Sequence, residues 1–87
     1  MKVTIRGFRY DTGTAERICG TEGEQMKASL YRTRRSGRFF LAGSGGPMTL
    51  FARKAGAEAI IPVDDKTARE FARGKIDEAD EARIFRG

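Results

Sequence analysis

The densest chemistry in this sequence is a run of cations between residues 27 and 38. Lys27, Arg32, Arg34, Arg35 and Arg38 fall within twelve residues and interleave with Tyr31, Phe39 and Phe40. A guanidinium is planar and donates two parallel hydrogen bonds, so arginines at fixed spacing suit phosphates and carboxylates. Aromatic faces beside them can stack on nucleobases. Arg and Tyr are equally typical anchors at protein interfaces. The candidate partner-binding residues are therefore Lys27, Tyr31, Arg32, Arg34, Arg35 and Arg38. The partner they suit is an acidic protein surface, a ribonucleoprotein or a nucleic acid. The plainer alternative is a solvated hairpin tip whose aromatics belong to the core.

Other chemistry is poorly served. The chain has no histidine, which removes Ser-His-Asp and Cys-His nucleophile arrangements and any His-containing metal site. Ser29, Ser36 and Ser44 accordingly have no His partner. Cys19 is the one cysteine, so there is no internal disulfide and no CxxC metal or redox motif. Arg17 beside it would lower the thiol pKa, yet a free cysteine is more often a small buried apolar residue. Gly43-Ser44-Gly45-Gly46 resembles a phosphate loop only superficially, since no Gly-Lys-Ser/Thr follows. Asp77, Glu78, Asp80 and Glu81 could mimic a phosphate track or hold a hard cation. They read more simply as the favourable acidic first turn of a helix. No catalytic residue, cofactor or metal is expected, and a non-enzymatic binding protein fits better than an enzyme.

Length and charge agree with this. Eighty-seven residues allow one domain, spanning 1–87. A domain this small buries only about 60% of its unfolded surface, so its core is thin. There are 17 Lys+Arg against 12 Asp+Glu, a net charge of +5. Residues 1–56 carry eleven bases and four acids, and residues 57–87 carry six bases and eight acids. A basic body at +7 with an acidic tail at −2 points to an anionic partner for the body. A lone thiol fits a reducing cytoplasm. No apolar run approaches a membrane span, and the start lacks a signal-peptide core.

The elements that must position the cations are legible in part. Lys2–Arg6 alternates polar and apolar and predicts a strand with Val3 and Ile5 inward, broken at Gly7. Asp11-Thr12-Gly13-Thr14 is turn chemistry. Residues 15–19 fit a helical turn or a short strand equally, and 20–24 read as an exposed loop. Met26 to Arg34 is the clearest strand, with Ala28, Leu30 and Arg32 on one face and Lys27, Ser29, Tyr31 and Thr33 on the other. Ser36-Gly37 supplies a turn, and Arg38–Ala42 is the hairpin partner. Pattern alone leaves open whether Phe39 and Leu41 or Phe40 and Ala42 face the core.

Residues 43–47 read as a flexible break, followed by about two helical turns from Met48 to Ala55. Ala59–Val63 is a short strand that Pro62 pushes toward an edge or an early end. Asp64 is a good N-cap, with Val63 and Ala68 as a hydrophobic staple. The helix should run from Asp65 to about Arg73, burying Ala68, Phe71 and Ala72, and end at Gly74. Asp77 caps a last helix from Glu78 to Phe85, with Ala82 and Phe85 on one face. The expected fold is α+β: a small antiparallel sheet of three to five short strands packed against one or two C-terminal helices.

Several stretches in order carry a resemblance. They are Tyr10–Ala15, Leu30–Leu41, Gly45-Gly46-Pro47-Met48, Ile60–Val63, Ala68–Phe71 and Ile84-Phe85 with a glycine close behind. Together they resemble small, mostly uncharacterised proteins of bacterial phages and integrative elements. Those proteins tend to be acidic, often with Trp where Phe71 stands, whereas this chain is basic. The resemblance implies a compact inhibitor of a host defence complex, an anti-CRISPR protein among them, acting in the bacterial cytoplasm without an active site. The leading expectation is an inhibitor whose basic hairpin docks on an effector surface. The alternative is a small nucleic-acid-binding accessory or regulatory protein of a mobile element. A third possibility is a subunit whose hairpin edge pairs with itself to form a dimer, so the chain is expected as a monomer or a homodimer.

Overall fold

The computed structural model describes residues 2–22, 26–45 and 59–86. The chain opens with a hairpin of β1 (Lys2–Ile5) and β2 (Phe8–Asp11). Four more strands follow: β3 (Glu16–Glu22), β4 (Met26–Arg32), β5 (Phe39–Gly45) and β6 (Ala59–Val63). They form an antiparallel sheet in the order β3-β4-β5-β6. Helix α1 (Asp65–Ala72), the single turn α2 (Glu78–Glu81) and a π-helical turn (Ala82–Arg86) complete the chain. The α+β architecture is the one expected, and among the described residues the helices follow the strands.

Both faces of β5 are buried, which resolves the register that pattern left open. Phe39 and Leu41 pack with Leu30, Ala68, Ala72 and Ile84 on the helix side. Phe40 and Ala42 pack with Tyr10 on the other side, beneath the β1–β2 hairpin. A central strand covered on both faces reads as a continuous apolar run, and Phe39-Phe40-Leu41-Ala42 is one. Phe40, Leu30 and Leu41 are fully buried, each stabilising by about 1.5–3 kcal/mol relative to exposure. The Phe40 ring stacks on Tyr31 at 5.2 Å and meets Tyr10 edge-on at 5.4 Å.

The sheet order overturns one expectation. The β4–β5 hairpin has no open edge, because β3 pairs with β4 and β6 pairs with β5. Self-pairing through that hairpin is therefore blocked. β6 is an edge strand, as Pro62 suggested.

Several boundaries also differ. Residues 15–19, ambiguous in sequence, enter β3 at Glu16, and the strand continues through Gly20, Thr21 and Glu22 where a loop was expected. A bulge between Arg17 and Cys19 interrupts its alternation, which hides the strand period. β4 ends at Arg32, not Arg34. The break expected from Gly43 is instead the end of β5. There a Cβ on Gly43 would overlap the Lys27 carbonyl oxygen, so the glycine serves close backbone approach. The helix expected over 48–55 lies outside the described residues. Val3 is 37% exposed, not inward. It shares its hairpin face with Tyr10, but Tyr10 and Ile5 alone reach the second core cluster.

The C-terminal caps are those read from sequence. Thr67 N donates to Asp64 Oδ1 and Asp80 N donates to Asp77 Oδ1, both at 2.8 Å. Ala68 and Ala72, four residues apart, form the buried stripe of α1. The last segment is not one α-helix: it widens after Glu81 into the π turn. Ala82 is exposed, while Ile84 is buried and Phe85 stacks on Phe39 at 5.2 Å. Ile84 and Phe85 thus both pack against the core cluster. Among the described residues no helix is long and apolar enough to cross a membrane.

Candidate functional site

Arg32, Arg34, Arg35 and Arg38 sit on and beside the turn joining β4 to β5, whereas Lys27 lies at the far end of β4, opposite Ser44. Strand alternation separates part of the group. Lys27 and Tyr31 lie on the hairpin side of the sheet, and Arg32 lies on the helix side. Tyr31 is half-buried and committed to Phe40, so it contributes more to the core than to a surface. Arg32 is half-buried, its guanidinium 6.0 Å from the Phe39 ring. Arg34 and Arg35 occupy the turn, Arg38 stands at its exit, and all three are exposed. The structure thus brings together Arg34, Arg35 and Arg38, flanked by Arg32.

The turn is built to hold its shape. Thr33 N donates to the Arg38 carbonyl at 2.8 Å, and Gly37 N donates to the Thr33 carbonyl at 3.0 Å. Thr33 Oγ1 accepts from Arg38 N at 2.9 Å and lies 2.7 Å from Ser36 Oγ. Gly37 takes φ 65°, a conformation that L side chains rarely adopt. Arg34 Nε donates to the Thr14 carbonyl at 2.9 Å, tying the turn to the one that follows β2. That second turn is ordered by Asp11, whose Oδ1 accepts from Gly13 N at 2.8 Å.

No carboxylate among the described residues pairs with Arg32, Arg34, Arg35 or Arg38. Glu16, which shares a small polar hollow of about 220 Å³ with Arg32 and Arg34, pairs instead with Arg83 at 3.0 Å. Arg83 also reaches Asp80 at 3.5 Å. These exposed pairs stabilise weakly, and through Arg83 they link Asp80 of the C-terminal segment to Glu16 on β3.

Sequence reasoning missed what lies below Arg38. Its guanidinium carbon is 3.4 Å from the centroid of Phe8, a ring that is 38% exposed. Such contacts stabilise by about 0.5–1 kcal/mol at exposed sites and fix the plane of the guanidinium. A groove of about 960 Å³ opens beside this pair. Arg6, Phe8 and Arg38 line one side, and Pro62, Asp64 and Lys66 line the other. Arg6 is at the β1–β2 turn with φ 53°, followed by Gly7 at φ 83°. The signal was present: an X-Gly pair between two short strands marks a two-residue hairpin turn.

Cys19 is buried. Burial pushes its thiol pKa up, and Lys75 and Arg17 pull only partly against it. It is therefore a core residue and not an activated nucleophile. Among the described residues no cluster of three or more acidic or thiol groups could hold a metal ion. No protein family, curated protein or solved structure was found to match the chain.

Proposed function

We propose that this protein is a non-catalytic binding module that docks its β4–β5 turn on an acidic surface of a larger bacterial complex. The setting is that of mobile-element inhibitors of host defence, anti-CRISPR proteins included. The observation that carries the docking chemistry is the group Arg34, Arg35 and Arg38. It stands exposed on a hydrogen-bonded turn with no carboxylate of the described chain against it. A rigid display of guanidinium groups loses little entropy on binding and presents planar forks to carboxylates. The setting rests on the resemblance of the turn, hairpin and capped-helix segments.

Binding of this kind is electrostatically steered and weakens as salt rises. It requires neither cofactor nor metal, and the partner is a protein or ribonucleoprotein effector in the bacterial cytoplasm. The test is a titration of purified RNA-guided effector complexes with the protein, reading target binding and cleavage. Inhibition by the native protein and its loss in R34E/R35E support the reading. If no effector is inhibited and the protein shifts free DNA or RNA by itself, the turn belongs to a nucleic-acid binder instead.

A further inference from the structure

We infer that the groove between the β1–β2 hairpin and the β6–α1 junction is a second binding site, for an extended peptide segment of a partner protein. The segment would carry a carboxylate and a cationic group flanking an apolar residue. This goes beyond docking of the turn and shares only Arg38 with it.

Charge divides the groove. On the hairpin side stand Arg6 and Arg38, with no acid among the described lining residues there. Arg38 lies against Phe8, so its orientation is set before a ligand arrives. A guanidinium seated on a ring still has its in-plane N–H edge for a carboxylate. On the opposite side Asp64 and Asp65 outnumber Lys66. The Thr67 amide takes only Oδ1 of Asp64, and its hydrogen bond holds the carboxyl below the ordinary carboxylate range. That wall is therefore anionic at neutral pH. Each side also contributes apolar lining, Phe8 from the hairpin and Pro62 and Val63 from β6.

This distribution selects among occupants. A nucleic-acid strand would bring successive phosphates against Asp64 and Asp65, and like charges in one groove repel. A peptide with one acid and one base meets both walls with opposite charge. Its apolar residue covers the exposed part of Phe8, which water otherwise wets. The volume is at the upper end for a ligand cleft and accommodates several residues of extended chain.

The test uses a set of short labelled peptides, each with one Glu, one Leu and one Lys at varied order and spacing in a Gly-Ser background. Anisotropy with the native protein should show saturable binding for at least one arrangement. Exchange of its Glu or its Lys for Gln should weaken binding roughly tenfold or more. R38Q and F8A in the protein should each do the same, with circular dichroism confirming the fold. R6Q replaces F8A if that variant does not fold. R34E/R35E should bind the peptide normally, which separates this site from the turn. The inference is overturned if no arrangement binds above the Gly-Ser background, or if R38Q binds as the native protein does. Loss of binding in R34E/R35E with F8A unaffected would likewise overturn it, by placing the peptide on the turn.

Discussion

Arg34 Nε donates to the carbonyl oxygen of Thr14 at 2.9 Å, joining two turns twenty residues apart. One side chain therefore both braces the basic turn and displays charge from it. R34K keeps the charge but loses the planar Nε donor. We expect faster amide exchange at Gly37 and Arg38 in that variant. The stability change should stay near 1 kcal/mol or less, the net worth of one hydrogen bond. Hydrogen exchange read by NMR checks the first, and urea unfolding checks the second.

Phe40 lies between Tyr10 and Tyr31 on the central strand and is fully buried. F40A should cost about 3–5 kcal/mol, the usual range for a buried Phe-to-Ala change. That is enough to unfold a marginal domain. F8A removes a ring that is already 38% exposed and should cost much less. Thermal unfolding of the two variants side by side measures the difference.

G43A should destabilise by about 1–3 kcal/mol, as overpacking does. The added methyl group would meet the Lys27 carbonyl, which cannot swing aside as a side-chain tip would. Urea unfolding of G43A tests this. A native-like midpoint would mean that β4 and β5 are not held in the register that pairs Gly43 with Ala28.

Two groups give stability a pH dependence of opposite sign. The carboxyl of Asp64 titrates lower in the folded chain, because the Thr67 amide donates to it. Its contribution is complete above about pH 4 and is lost as pH falls through the lowered value. The thiol of Cys19 titrates higher when folded, because burial disfavours the thiolate. Its contribution is complete below about pH 8.5 and is lost as pH rises through the raised value. D64N should flatten part of the acid limb of a stability–pH curve. C19A should flatten part of the alkaline limb.

The elements near the surface charges were largely legible in the sequence. Asp64 and Asp77 announced the caps, Pro62 announced an edge, and Asp11-Thr12-Gly13-Thr14 announced a turn. These are local signals, set by hydrogen bonds within a few residues. β3 was not legible, because its bulge at Arg17 breaks the two-residue period that would reveal a strand. The double burial of β5 was also hidden. It depends on the β1–β2 hairpin folding over the sheet, which no short window contains. The site shows the same division. Ser36-Gly37 marked the turn, but Arg34 was read as the end of one strand and Arg38 as the start of its partner, whereas both lie outside the strands. Arg32 and Tyr31 go to opposite faces by plain alternation, and the pairing of Arg38 with Phe8 is a tertiary contact.

The most direct test of docking through the turn is the association rate of the protein with an inhibited effector complex, measured against salt concentration after nuclease treatment. The native protein should associate quickly at low salt and more slowly as salt rises. R34E/R35E should associate slowly at every salt concentration while its unfolding curve stays within about 1 kcal/mol of native, the worth of the Arg34–Thr14 hydrogen bond it loses. Equal association rates for the two proteins would contradict docking through the turn.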